Sequence, residues 1–304
     1  MKIMASIIHI LLALMLSPFL MGIINRVKAK FAGRKGQPLL QTYYDIIKLL
    51  KKGSVYSATT TWVFRMGPVL GLAAVITSIM IIPSGGIGGV LSFSGDFILM
   101  AYALGLTRFI TVVAAMDTGS AFEGMGASRE AQFSIIAEVV LLLGMATLAI
   151  GTKNISLSGI YSCLWGGSAS PLGPAAFLVA FALLIVLLTE NARIPVDDPN
   201  THLELTMIHE VMVLDHGGVD LAFIQYGESL KLWLFSALLA GIAIPFRTGT
   251  AYGDMAVNIT GIFAIAVLVG IIESCMARLR LLHVPQMLLA ALSVTIAALL
   301  WILR

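Results

Sequence analysis

Four ionisable residues stand inside or at the ends of long apolar runs: Arg108, Glu138, Glu190 and Glu273. A charge within a membrane helix costs about 2.5–3.5 kcal/mol at mid-span, so each needs a partner or a task. Arg108 lies about eight residues from one end of its apolar run and Glu138 about seven into the next. At 1.5 Å per residue both sit roughly 10–12 Å deep from the same side and can pair. Such a pair either fastens two helices together or moves charge. Glu190 and Glu273 lie near inner helix ends, where a carboxylate is either solvated or part of a relay.

The stretch 190–228, ENARIPVDDPNTHLELTMIHEVMVLDHGGVDLAFIQYGE, adds Asp197, Asp198, Glu204, Glu210, Asp215, Asp220 and Glu228, with Arg193 nearly the only base. Leu203, Leu205, Met207, Ile208, Val211, Met212 and Leu214 are interleaved through it, which predicts a packed segment rather than a solvated acidic loop. Carboxylates packed in this way have raised pKa values and can carry protons.

Other chemistries find little support. His202, His209 and His216 invite a metal reading, but His209-Glu210 is followed at the required fourth place by Val213, so the zinc-protease spacing fails. Cys163 and Cys275 are too far apart in sequence for the closely spaced clusters of iron–sulfur or structural zinc sites, so any redox centre must sit in a partner. There is no nucleophile elbow, and no phosphate-binding glycine pattern. Gly85-Gly86 and Gly88-Gly89 read as a flexible turn.

The elements that position these residues are helices. Charged residues are 12% of the chain against 59% hydrophobic, with a mean hydropathy of +0.97, whereas soluble domains carry roughly a quarter charged residues. Apolar runs long enough to cross a bilayer fall at 3–25, 62–82, 97–116, 131–150, 171–190, 229–246, 255–275 and 284–303. The expected fold is therefore all-α, a single polytopic membrane domain over 1–304 with about eight transmembrane helices. Ile3 to Ile24 is too long for the core of a signal peptide and has no small-residue cleavage site after it.

Orientation follows from the basic residues. Segments on one side hold Arg26, Lys28, Lys30, Arg34, Lys35, Lys48, Lys51, Lys52, Arg65, Arg129, Arg193, Lys231, Arg278 and Arg280; those on the other hold only Lys2, Lys153, Arg247 and Arg304. This predicts a chain in the cytoplasmic membrane with both termini outside. The inner segments 26–61, 117–130 and 191–228 would then form a cytoplasmic docking surface. In the first of them Leu39, Leu40, Tyr43, Ile46, Ile47 and Leu50 recur at helical spacing, with Lys48, Lys51 and Lys52 toward the polar side, which predicts an amphipathic interfacial helix. The outer halves of the predicted spans carry no Asp, Glu, Lys or Arg, with His9 a weak exception, so the buried charge makes a half-path open only to the inside. A net charge of +3 gives no argument for nucleic acid.

Four stretches carry a family resemblance over nearly the whole chain: RKGQPLLQTYYDIIKLLKK (34–52), DTGSAFEGMGASRE (117–130), the spacing Gly126, Arg129 and Glu138, and ENARIPVDD (190–198) followed by Glu204-Leu205. Together they resemble the membrane subunit shared by respiratory complex I, as its subunit 1, and the membrane-bound NiFe hydrogenases. The 117–130 stretch is most similar to the branch of formate hydrogenlyase and hydrogenase-4.

The resemblance implies a subunit without an active site of its own that anchors a soluble redox arm. Partners would be the hydrogenase large and small subunits on the cytoplasmic side, which carry the nickel–iron centre and iron–sulfur clusters, and antiporter-like membrane subunits. It implies a proton path through Arg129, Glu138, Glu190, Arg193, Asp197 and Glu204, with carboxylates as carriers and each Arg holding neighbouring carboxylates ionised; Arg108 and Glu273 join it from the apolar runs. The complex I pattern continues after Asp197 with several acids close together, whereas here Asp-Pro-Asn-Thr-His precedes Glu204, which disfavours a quinone chamber. The alternatives are the corresponding membrane subunit of an NADH–quinone oxidoreductase, a stand-alone ion transporter, and a purely structural anchor.

Overall fold

The computed structural model describes residues 2–84, 86–165, 172–197, 207–244 and 248–304, with side chains from Ser6 onward. Ten helices are described: α1 (Lys2–Phe31), α2 (Gln41–Leu50), α3 (Trp62–Ile81), α4 (Asp96–Asp117), α5 (Ala121–Thr152), α6 (Leu157–Trp165), α7 (Gly173–Glu190), α8 (Gly218–Ala243), α9 (Ala251–Cys275) and α10 (Val284–Leu303). Single 3-10 turns occupy Glu210–Val213 and Leu281–His283, and no extended strand occurs among the described residues.

Among the described residues seven helices are long and apolar enough to cross a membrane: α1, α3, α4, α5, α7, α9 and α10. The eighth expected span, α8, has the length at 26 residues but not the composition, because Glu228 and Lys231 interrupt its apolar run. Its residues from Ser229 to Ile242 are all buried, so α8 is a central helix wrapped by other helices, and its polar side chains face protein.

Two predicted boundaries were wrong, both because a charged stretch reads as a loop. The segment 117–130 is largely helical: α5 starts at Ala121, ten residues before the expected span, after a turn in which Gly119 has φ 70°. Glu123, Gly126, Ala127, Glu130, Phe133 and Ala137 form its buried face at helical spacing. Similarly α8 begins at Gly218 rather than near 229, where Gly218 (φ 57°) packs so closely on the Gly53 carbonyl that a Cβ would lie 2.5 Å from its oxygen. At its other end α8 stops earlier than expected, because Ile244 precedes Pro245 and turns extended (ψ 84°). Helix α6 has no counterpart among the expected elements.

The expected amphipathic helix is α2, which has no buried residue, leaves Tyr44, Ile47 and Leu50 exposed, and is tied to α1 by the Tyr43 hydroxyl donating to the Met15 carbonyl. The three charged segments gather at the same end of the bundle. Ser54 Oγ donates to Gly217 O (3.1 Å), Asp215 N donates to Glu123 Oε1 (3.2 Å), and Thr61 N donates to Asp117 Oδ2 (2.7 Å), which caps α3 with the last residue of α4. This is the α2 end; α6 marks the other.

The α6 end is less bare than expected. Asp96 and Asp254 each fall one residue beyond the predicted spans but sit buried in the first turns of α4 and α9. Asp96 accepts from Leu157 N (2.7 Å) and Ser156 Oγ (2.8 Å), and Asp254 accepts from Thr248 N (2.6 Å) and Thr248 Oγ1 (2.8 Å). Both serve as loop anchors that satisfy backbone donors at helix starts.

Candidate functional site

The site grows from the end of α7. Glu190 is the last residue of that helix, buried at 3% exposure, and it holds two cations from two other helices. Arg108 Nη1 of α4 approaches Glu190 Oε1 at 3.2 Å, and Lys231 Nζ of α8 approaches Oε2 at 2.9 Å. Arg108 also reaches α5, where Nη2 lies 3.5 Å from Glu138 Oε2 and Nη1 donates to the Ser134 carbonyl at 2.8 Å. The result is a chain Glu138–Arg108–Glu190–Lys231 that crosses four helices. The charge bias of the sequence places Lys231 in an inner segment; it is instead 6% exposed within α8.

A second cluster lies beside it. Arg193 Nη1, just after α7, approaches Glu273 Oε1 of α9 at 3.4 Å, while Lys28 Nζ of α1 approaches Glu273 Oε2 at 2.8 Å. Arg193 also contacts the Met21 sulfur. Asp197 is held by Arg278 Nη2 at 2.9 Å and accepts from the backbone N–H groups of Ile208 and His209, each at 3.1 Å. Glu190, Glu273 and Asp197 therefore each have a cation beside them, and removing either partner of such a pair would leave the other uncompensated.

Arg129 stands on α5 beside the segment that follows Asp197 in the chain. Its Nη1 donates to the Met207 carbonyl (3.0 Å), which fastens a strap formed by residues 207–217 onto α5. Gly126 belongs to the same fastening: a Cβ there would lie 2.6 Å from Val211 Cγ1 and 2.8 Å from the Ile208 carbonyl oxygen. Met207, Ile208, Val211 and Met212 are buried, as a packed segment requires, but Leu214 is 43% exposed. Asp198, His202, Leu203, Glu204 and Leu205 lie outside the described residues.

Sequence reasoning missed Lys28, Glu130, His209, Lys231 and Arg278 as partners in these clusters. The spacing around His209 raises only metal ligation, whereas its Nδ1 lies 3.3 Å from Glu130 Oε2 on α5. Burial alone would lower the His209 pKa, but the Glu130 charge and hydrogen bond outweigh it, with Glu228 adding and Lys231 opposing, so the net shift is upward. His216 stacks on Phe64, with centroids 3.8 Å apart and rings 4° from parallel, and burial lowers its pKa despite Asp220 and Asp215. Among the described residues no group of three or more His, Cys, Asp or Glu is arranged to hold a metal ion.

Two cavities adjoin the clusters. The larger, about 390 Å³, opens among Asn25, Asp45, Glu190, Arg193, Asp197, Gln225 and Lys231 at the α2 end. The smaller, about 70 Å³, lies between α3, α4 and α8, bordered by Gly67, Gly71, Thr107, Arg108 and Glu130. His209, His216, Glu228 and Lys231 line both. Ion pairs bordering a space of this size can be linked by water and can pass protons without a bound cofactor.

Comparison with known proteins extends these observations. The family model for NADH dehydrogenase matches residues 3–303. Formate hydrogenlyase subunit 4 of Escherichia coli (strain K12) is 32% identical over 295 residues, covering 94% of this chain and 94% of that protein. Hydrogenase-4 component C of the same strain is 30% identical over 297 residues, covering 95% and 91%. Among solved structures, a chain in the membrane-bound sulfane sulfur reductase, an archaeal respiratory membrane complex, superposes with a TM-score of 0.82 at 23% identity, covering 98% of this chain and 99% of that one.

Proposed function

From the premise that the chain belongs to the NADH dehydrogenase family, alongside the hydrogenase subunits it is similar to, we propose that it is the membrane-anchoring, proton-path subunit of an energy-converting NiFe hydrogenase or formate hydrogenlyase complex. The observation that carries this reading is the chain Glu138–Arg108–Glu190–Lys231, buried except at Glu138, beside the 390 Å³ cavity at the α2 end. A merely structural anchor gains little from so many buried charges, because well-packed apolar residues hold helices together as well or better.

In this reading protons enter from the cytoplasm through the cavity and are held at Glu190, whose charge Arg108 and Lys231 balance. They move along the Arg108-linked pair to Glu138. Glu138 retains 30% side-chain exposure on the bundle flank, where an antiporter-like membrane subunit would accept the proton or its electrostatic effect. Arg193 and Glu273 set the field at the cavity mouth, and Asp197 and Arg129 hold the strap above it, with Glu204 a further carrier. The nickel–iron and iron–sulfur groups belong to the soluble partners, which dock on α2, the start of α5 and the strap. The chain sits in the cytoplasmic membrane with its termini outside.

Isolation of the complex from its native membrane tests the assignment. A nickel-containing large subunit and an iron–sulfur small subunit should accompany the chain. NADH-oxidising subunits with bound quinone would overturn it in favour of the corresponding membrane subunit of an NADH–quinone oxidoreductase.

A further inference from the structure

His209 stands at a junction that the proposed path does not use. It lines the large cavity together with Glu190 and the small cavity together with Arg108. Glu130, its partner at 3.3 Å, lines only the small cavity. The pair therefore spans the wall between a space that reaches the α2 end and one that runs between α3, α4 and α8.

The backbone fixes this position from both sides. His209 N donates to Asp197 at 3.1 Å, Arg129 holds Met207 two residues before it, and Gly126 leaves room for Ile208 and Val211 against α5. The imidazole thus stands on a clamped strap, and its side chain keeps 19% exposure toward the cavities while the Glu130 side chain has 8%.

We propose that His209 and Glu130 form a proton relay between the two cavities, which delivers protons from the large cavity to the Arg108–Glu190 pair and so works in series with Glu190. This rests on the proton-path reading above. Imidazolium gives its Nδ1 proton to the Glu130 carboxylate, leaving neutral imidazole and neutral acid. The Glu130 proton then leaves through water in the small cavity, and the imidazole is recharged by a proton taken at a ring nitrogen from the large cavity. No oxidant or second reactant is needed.

The charged groups around His209 are compatible with this cycle. From α5 comes Glu130, from α8 Glu228 and Lys231, from α4 Arg108 across the small cavity, and from the segment after α7 Asp197. On the strap itself Glu210, Asp215 and His216 are nearby in sequence. The acids favour the imidazolium and the cations favour its discharge.

The test uses the whole complex in proteoliposomes, with His209→Gln, His209→Lys and Glu190→Gln compared across pH 5 to 9. Loss of a positioned acid–base group predicts that His209→Gln lowers proton translocation by about a hundredfold while hydrogenase turnover in detergent persists. His209→Lys, which keeps the ion pair but cannot cycle near neutral pH, should fall equally. Rescue by lysine would show a purely structural ion pair and overturn the relay. If Glu190→Gln is impaired but His209→Gln is not, the relay alone fails; if neither is impaired, the proton-path reading fails with it. Infrared spectra of histidine-labelled complex supply an independent reading. Wild type should show an imidazolium band that titrates together with a carboxyl band and disappears in His209→Gln. Absence of any such coupled band would also overturn the proposal.

Discussion

Arg108 Nη1 lies 3.2 Å from Glu190 Oε1, joining the middle of α4 to the last residue of α7 through a pair that is almost wholly buried. Removing Arg108 takes the cation from Glu138 and leaves Glu190 with Lys231 alone, so Arg108→Leu should destabilise the bundle by roughly 3–5 kcal/mol. The double variant Arg108→Leu with Glu138→Leu should recover much of that loss, since Glu190 keeps Lys231 and no orphaned carboxylate remains. Thermal unfolding of the purified complex measures both. Equal stability of the single and double variants would remove the Arg108–Glu138 pair from the account.

Glu190→Gln separates function from stability more gently. The amide keeps the shape, and its single oxygen can still accept from one of the two cations, Arg108 or Lys231, so assembly should persist. Proton translocation should fall at least about tenfold if Glu190 must hold a proton, because an amide cannot be recharged. Glu138→Gln should behave alike, with a smaller stability cost because Glu138 is 30% exposed. Unchanged translocation in both would leave only the anchoring role.

Much of this arrangement is legible in the sequence, for identifiable reasons. Of the eight apolar runs, seven fall on helices that are, among the described residues, long and apolar enough to span, because the bilayer demands unbroken hydrophobic length. The pairing of Arg108 with Glu138 follows from their shared depth. Lys231 is hidden because a positive charge near an apolar run reads as a topological signal, when it is in fact the partner of Glu190 across a helix–helix interface. His209 is hidden because local spacing tests metal motifs but says nothing about Glu130, which the fold brings from a different helix. The motif residues Gly126 and Arg129 stand out in the sequence, but that they clamp the strap depends on contacts more than seventy residues away in the chain.

That clamp makes its own prediction. Gly126→Ala would place a Cβ 2.6 Å from Val211 Cγ1 and 2.8 Å from the Ile208 carbonyl oxygen, and a backbone oxygen cannot turn aside as a side-chain end can. Overpacking of this kind costs about 1–3 kcal/mol. The loss should concentrate in residues 207–217, so amide hydrogen exchange there should quicken more than in α7 or α9. Uniform exchange across the chain would show that the strap is not held at Gly126.

The two histidines of the strap give opposite pH signatures. His209 has a pKa raised above 6.5, so the stability it adds is fully present below pH 6.5 and is lost as pH rises through its folded value. His216 has a pKa lowered below 6.5 by burial against Phe64, so its contribution is present above pH 6.5 and is lost as pH falls through its folded value. Strap protection should therefore decline on both sides of a maximum. His209→Gln should flatten the alkaline limb, because no imidazolium remains to discharge. His216→Phe keeps an aromatic ring to stack on Phe64 and should flatten the acid limb. Hydrogen exchange of residues 207–217 from pH 5 to 8, corrected for the intrinsic rate, resolves the two limbs. An acid limb unchanged in His216→Phe would show that this loss does not belong to His216.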